Sequence, residues 1–151
     1  MTLFIVACSQ RKHSDLRHRT MAARDAYIGT GFRIARRQLE TTREHWCILS
    51  GHYGFLWPDS YIEHYDEKID PDPKRPWAAP FDSLKQKQYG RLMSAREIIV
   101  LGSRLYAESA VELLGRTVDA PLAGLPIGRA LHYLSKLDQT LPRRHLATAV
   151  S

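Results

Sequence analysis

The chain contains three apolar runs of strand length, and serine or glycine directly follows each of them. The runs cover residues 3–8, 46–50 and 98–101, and residues 118–122 form a shorter fourth candidate. Continuous apolar runs of this length are typical of strands that are buried on both faces, as in parallel sheets. This feature constrains the fold strongly, because such a sheet needs helices to cover both of its faces.

Segments with helical spacing or helix-capping residues lie between and after these strands. The sequence predicts a short helical turn over residues 22–27 and helices over 32–41, 82–94 and 104–114. A last helix begins at Pro126, and its predicted inward face consists of Ile127, Ala130, Leu131, Leu134 and Leu137. This order predicts one α/β domain over residues 1–151, with a three- to four-stranded, mostly parallel, Rossmann-like sheet flanked by helices.

Residues 57–80 break this alternation with five prolines and six acidic side chains. The segment is longer than the usual connection between two elements of a compact domain. We therefore expect a long Pro-rich loop or lid, and loops of this length often serve function.

The charge of the chain is positive and unevenly distributed. It carries 22 Lys and Arg residues against 16 Asp and Glu, and residues 1–50 hold nine basic and four acidic side chains. A basic surface favours nucleotide or nucleic acid partners, with Arg33, Arg36 and Arg37 as candidate phosphate contacts, although a solvated arginine-rich surface explains the charge equally well. No apolar run approaches the roughly 20 residues that a membrane span needs, and no signal-peptide pattern is seen, so we expect a cytoplasmic protein.

Small and polar residues follow every predicted strand. Because ligands bind beyond the carboxyl ends of parallel strands, we expect positions 9, 50, 103 and 124 to surround one hollow. The predicted substrate-binding residues are Cys8, Ser9, Arg11, Lys12, Tyr27, Gly51, Tyr53, Tyr65, Ser103 and Gly124. The alternative for each segment is that serine and glycine only build tight strand-to-helix turns.

Several of these side chains suit nucleotide chemistry. Arg11 and Lys12 would hold phosphate, and Tyr27 and Tyr65 would stack on a base. Cys8 is either a reactive thiol beside cations or a buried structural cysteine. The predicted catalytic residues are Ser50, His52, Glu63 and Asp66.

Each catalytic candidate has a plainer alternative. Glu63 or Asp66 would stabilise an oxocarbenium-like state, unless the two carboxylates belong to a solvated acidic loop. His52 would transfer protons, unless it is an ordinary turn histidine. The histidines and cysteines lack paired ligand spacing, so we expect no metal, and no cofactor motif is present.

Three segments together resemble a known group of sequences: residues 8–12 (CSQRK), residues 25–29 (DAYIG) and residues 48–69 (ILSGHYGFLWPDSYIEHYDEKI). They resemble a family of small uncharacterised domains of actinobacteria and phages, which is similar in its central motifs to the YaaA peroxide-stress family. The likeness to YaaA covers about residues 25–66, and Cys8-Ser9 replaces the Pro-Ala-Lys start of YaaA proteins. The resemblance implies a link to DNA protection and to chemistry on nucleobases or base–sugar bonds. It implies site positions at Cys8, Ser9, Lys12, Tyr27, Ser50, Tyr53 and Tyr65.

Two hypotheses follow from these observations. The first is an enzyme that processes a nucleoside, nucleotide or nucleobase at the base or at the N-glycosidic bond. The alternative is a non-catalytic nucleic-acid-binding protein of the YaaA-like, DNA-protecting type, which would use the basic first third for phosphate contacts.

Overall fold

A four-stranded sheet forms the centre of the computed structural model, which describes residues 1–51, 53–64, 92 and 94–139. Its strands are β1 (Thr2–Ala7), β3 (His45–Ser50), β4 (Gly54–Leu56) and β6 (Glu97–Leu101), in the order β4-β3-β1-β6. β1 pairs in parallel with β3 and β6, whereas β4 pairs antiparallel with β3. The predicted α/β fold with a mostly parallel sheet is therefore confirmed.

The helices follow the predicted pattern closely. They are α1 (Ala23–Ala26), α2 (Thr30–Thr41), α3 (Arg104–Leu114) and α4 (Ile127–Ser135), and a 3₁₀ turn covers Ser14–Arg17. A second, two-stranded antiparallel sheet joins β2 (Met21–Ala22) to β5 (Tyr61–Ile62). Of the helix predicted over 82–94, the structure describes Leu92, which is helical and buried, and Ser94, which lies in a turn. The rest of that segment and most of the Pro-rich loop lie outside the described residues.

The sheet is buried on both faces, as its continuous apolar strands predict. On one face Phe32 and Leu39 of α2 and Leu134 of α4 pack with strand residues such as Phe4 and Val6. On the other face α3 packs through Ala107, Ala110 and Leu114 against alternate strand residues, including Leu3, Ile5 and Val100. The helices that follow β1 and β6 thus cover opposite faces of the sheet.

Two predicted details differ from the structure. Of the predicted strand over residues 118–122, Asp119 alone pairs with the sheet, through an isolated parallel bridge to Ile99. Pro121 has no N–H group to continue a ladder, which explains the early end. The fourth strand is instead β4, a three-residue edge strand that follows β3 through a tight turn.

The inward face predicted for the last helix is also wrong at its first residue. Ile127 is 80% exposed, while Leu134 and Leu137 are buried as predicted. The reason is that α4 packs on α2 through its later turns, whereas Ile127 lies at the mouth of the pocket described below.

Candidate functional site

The strand order places a crevice at the carboxyl ends of β1 and β6. β1 lies between β3 and β6. The chain passes from β1 to β3 on one side, and after the β3–β4 hairpin it returns to β6 on the other side of β1. Because α2 and α3 cover opposite faces, they leave a gap above the two strand ends, as at the switch points of other open α/β sheets. A pocket of about 540 Å³ fills this gap, and we call it the switch-point pocket.

The walls of the switch-point pocket are mostly apolar, with small and polar groups at the strand ends. Five segments contribute: the ends of β1 and β6, the first turn of α2, residues 122–125 and one face of α4. The described residues that line it are Val6, Ala7, Cys8, Ser9, Gly29, Thr30, Gly31, Phe32, Leu101, Gly102, Ser103, Leu122, Leu125, Ile127, Ala130, Leu131 and Leu134.

Ser9 fixes the beginning of α2 against the end of β1. Its Oγ accepts a hydrogen bond from the Gly29 amide at 3.1 Å and donates one to the Arg11 carbonyl at 2.6 Å. A Cβ at Gly29 would lie 2.6 Å from Ser9 Cβ, so this close approach requires glycine. The Ser9 hydroxyl therefore positions α2.

The first turn of α2 presents backbone amides to the pocket. Gly29 is the N-cap residue and provides no capping side chain, and the first intrahelical bond runs from the Arg33 amide to the Gly29 carbonyl. The amides of Thr30, Gly31 and Phe32 are thus left without helical partners, and all three residues line the pocket. Uncapped amides at a helix N-terminus attract anions.

The end of β6 approaches β1 equally closely. A Cβ at Gly102 would lie 2.8 Å from Ala7 Cβ and 3.2 Å from Tyr106 Cβ. Ser103 is the N-cap residue of α3, and its side chain makes no capping hydrogen bond. It is exposed and lines the pocket, so its hydroxyl faces the space that a ligand would fill.

The two cysteines have different surroundings. Cys8 is half-buried on the pocket wall, and its Sγ lies 3.3 Å from the Tyr106 hydroxyl. Burial raises the pKa of Tyr106 well above its usual value, and the neighbouring Cys8 raises it further, so the phenol stays neutral. Burial also strongly raises the pKa of Cys47, which makes it an inert core thiol.

Gly124 and Arg104 meet beside the pocket. Gly124 lies between two lining leucines with φ of +80°, and a Cβ there would be 3.1 Å from Arg104 Nη2. The predicted positions 9 and 103 therefore share one hollow, and position 124 lies at its edge. Ser50 is not among the lining residues, although β3 is the neighbour of β1.

The predicted residues after β3 build a hairpin. Ser50 is completely buried, and its Oγ accepts a hydrogen bond from the Tyr53 amide at 3.1 Å across the turn that contains Gly51. The Tyr53 hydroxyl accepts a hydrogen bond from the Glu63 amide at 3.0 Å and donates one to the Glu63 carbonyl at 3.4 Å. These bonds hold the segment after β5 against the hairpin.

The remaining described candidates belong to the segment between β1 and α2. Tyr27 is 1% exposed and its ring packs against Phe32, so it belongs to the core and cannot present its face to a base. Arg11 is exposed, and its carbonyl accepts from the Ile28 amide. Lys12 forms an isolated bridge with Tyr27 and does not line the switch-point pocket.

Of the three arginines predicted as phosphate contacts on α2, one is already engaged in ion pairs. The Arg36 guanidinium pairs with Asp25 at 3.0 Å and with Glu40 at 3.1 Å. Arg33 and Arg37 are exposed. His52, Tyr65 and Asp66 lie outside the described residues.

The sequence analysis missed the amides of residues 30–32, the ring of Phe32 and the Cys8–Tyr106 contact. A signal for the first of these exists: Gly29-Thr30-Gly31 opens a helix without a capping side chain. In the described part of the chain, no group of three His, Cys, Asp or Glu residues is suited to hold a metal ion. None of the described helices combines the length and hydropathy needed to cross a membrane.

Comparison with known proteins gives a family but no chemistry. The chain is 26% identical over 150 residues to the uncharacterized protein YfjM of Bacillus subtilis (strain 168), and the alignment covers 95% of this chain and 97% of that protein. No solved structure matches the chain. Residues 3–136 match a family of unknown function, and the chain therefore belongs to the family DUF6884.

Proposed function

We propose that this chain binds a nucleoside phosphate in the switch-point pocket and acts on its base or its N-glycosidic bond. One observation carries the proposal: the uncapped first turn of α2 and an apolar wall face each other across a pocket at the switch point of the sheet. Anion-binding amides beside an apolar wall suit a ligand with one charged end and one flat apolar end.

The phosphate group would lie against the amides of Thr30, Gly31 and Phe32. Gly31 leaves its backbone uncovered, since a Cβ there would meet Leu131 and Leu134 only at 3.6 Å and 3.8 Å. Ser103, at the start of the facing helix α3, offers a hydroxyl to the same ligand. Both groups can hydrogen-bond phosphate oxygens without any cationic side chain.

The base would pack on the apolar wall that Leu122, Leu125 and α4 provide. Leu125 and Ile127 are 37% and 80% exposed, which leaves apolar area at the mouth of the pocket. A nucleobase that covers these side chains would remove them from water, with a gain proportional to the buried area.

The proposed reaction is hydrolysis of the N-glycosidic bond. Water adds to the anomeric carbon and the base leaves with a proton, through a cationic, oxocarbenium-like state that a carboxylate stabilises. We propose Asp66 for this carboxylate. Glu63 is the other candidate, and its backbone amide donates to the Tyr53 hydroxyl. The likeness of residues 48–69 to the YaaA motif supports the same chemistry.

Binding is tested first, by calorimetric titration of the protein with nucleosides and nucleoside monophosphates. Ile127→Asp places a negative charge at the pocket mouth on an exposed side chain, and we expect at least a tenfold loss of monophosphate affinity. Val111→Asp is the matched control, because Val111 is 40% exposed on α3 and does not line the pocket. Equal affinity for both variants and the wild type would contradict the proposed site.

Catalysis is tested separately, by chromatographic detection of free base released from nucleosides, nucleotides and DNA. We expect Asp66→Asn to abolish release while it leaves monophosphate affinity intact. If no member of the panel yields product although monophosphates bind, the non-catalytic alternative replaces the enzyme.

A further inference from the structure

A second depression, of about 450 Å³, is lined mainly by residues of the segment that follows β1. We call it the basic pocket, and its basic lining residues are Lys12, His13, Arg17, His18 and His64. None of the described residues that line it carries a carboxylate. The basic pocket is therefore suited to an anion.

The local charge supports an anionic ligand. Residues 10–19 hold four Lys and Arg side chains, two histidines and one acidic side chain, Asp15. The Asp15 carboxylate lies 3.5 Å from Arg19 Nη2, so its charge is partly neutralised where it stands. Arg17 forms no ion pair with any described residue, and it is exposed and lines the basic pocket.

His13 contributes a hydrogen-bond donor even when it is uncharged. Its Nδ1 accepts the Asp15 amide at 3.0 Å, so the proton of the neutral imidazole lies on Nε2. An N–H group of this kind can donate to a phosphate oxygen.

The basic pocket and the switch-point pocket lie at opposite ends of one short, fixed segment. Cys8 and Ser9 line the switch-point pocket, whereas Gln10 and Lys12 line the basic pocket. The turn between them is held by the 2.6 Å hydrogen bond from Ser9 Oγ to the Arg11 carbonyl. Ser9 and Lys12 are at most roughly 11 Å apart, about the rise of three stacked nucleotides along a strand.

We propose that the basic pocket binds the phosphodiester backbone of a nucleic acid strand, one nucleotide of which occupies the switch-point pocket. This inference rests on the proposed function and names its substrate class as an oligonucleotide instead of a free nucleotide. Lys12 and Arg17 are cationic lining residues of this open depression, and Arg17, His18 and His64 are exposed. Two cations beside imidazole groups can contact successive phosphates of one strand.

The test compares a nucleoside monophosphate with single-stranded DNA and RNA of two to eight nucleotides, by fluorescence and calorimetric titration at several salt concentrations. We expect the oligonucleotides to bind at least tenfold more tightly than the monophosphate. Arg17→Ala should remove most of that gain and lower the slope of log affinity against log salt by about 0.7, while it leaves monophosphate affinity unchanged. Arg17→Lys should keep most of the slope.

Arg96→Ala is the matched control, because it removes the same charge from an exposed position that lines neither pocket. We expect it to change oligonucleotide affinity by less than twofold. Equal losses for Arg17→Ala and Arg96→Ala, or oligonucleotides that bind no better than the monophosphate, would overturn the inference. Displacement of oligonucleotide by inorganic phosphate at similar concentration would also overturn it. Ile127 lines the switch-point pocket and not the basic pocket, so monophosphate affinity that Ile127→Asp leaves unchanged shows failure of the proposed function separately.

Discussion

The carboxyl ends of β1 and β3 lie side by side in the sheet, and the Cys8 amide donates to the Leu49 carbonyl at 3.1 Å between them. Both ends carry a serine, but the two serine side chains contact different parts of the molecule. Ser9 lines the switch-point pocket and holds the uncapped start of α2, whereas Ser50 is fully buried and holds the turn before β4. A polar residue after a parallel strand therefore becomes part of a site only where the following element leaves space above the strand.

The connections explain this difference. After β1 the chain crosses over to a helix on one face, and after β6 it enters a helix on the opposite face, which opens the gap between them. After β3 the chain turns directly into an antiparallel neighbour. The hairpin occupies the space that a crossover would leave open.

Gly29→Ala should have the largest effect. The added Cβ would meet Ser9 Cβ at 2.6 Å, and we expect a loss of about 1–3 kcal/mol in the free energy of unfolding from this overpacking. Because α2 would shift from its place against β1, monophosphate affinity should fall at least tenfold. Urea denaturation and calorimetric titration measure the two effects.

Gly128→Ala is the control for that prediction. A Cβ at Gly128 meets no atom within 4 Å, so this change should stabilise the protein by about 0.4–1 kcal/mol and leave binding intact. Wild-type stability and affinity in Gly29→Ala would show that the contact between β1 and α2 does not build the pocket.

Ser50→Ala should separate stability from binding. It removes the Oγ that accepts the part-buried hydrogen bond from the Tyr53 amide, which costs about 1–3 kcal/mol, but monophosphate affinity should stay within twofold. Denaturation and titration of the same sample check both statements. A variant that keeps its stability and loses binding would place Ser50 in contact with the ligand and not in the turn before β4.

The raised pKa of the buried Cys47 thiol predicts that the free energy of unfolding decreases at alkaline pH. Because its pKa is raised in the folded state, the unfolded chain loses this proton first, at about pH 8.5. The stabilisation is complete below that pH and is lost above it, by up to about 1.4 kcal/mol per pH unit.

Cys47→Ala should flatten this loss between pH 8.5 and 10, a range below the ordinary titration of tyrosine. Urea denaturation at several pH values measures the slope. An unchanged slope would mean that the folded protein does not shield the Cys47 thiol from ionisation.

Tyr53→Phe should have the smallest effect. The hydroxyl bonds to the Glu63 backbone are lost, and we expect a cost of about 0.5–1.5 kcal/mol with no change in nucleotide affinity. Thermal unfolding followed by circular dichroism measures the difference. A large loss of affinity would instead connect the β3 hairpin to the ligand.

The sequence was sufficient to predict three of the four strands of the main sheet and three helices, because a hydrophobic pattern depends on residues close together in the chain. It also predicted that Ser9 and Ser103 lie together, since parallel strands bring their ends to one edge. It could not predict that Ser50 and Tyr53 satisfy one another inside a hairpin, or that Tyr27 packs under Phe32. Whether a polar or aromatic side chain already has a hydrogen-bond or packing partner depends on contacts between distant segments.

The proposed function requires that a nucleotide binds in the switch-point pocket above β1 and β6. A crystal soaked with a mixture of nucleoside monophosphates tests this binding directly. We expect density for a phosphate group against the amides of residues 30–32, with the base on the wall formed by α4. Density for a nucleotide elsewhere on the molecule, with an open and empty switch-point pocket, would contradict the account.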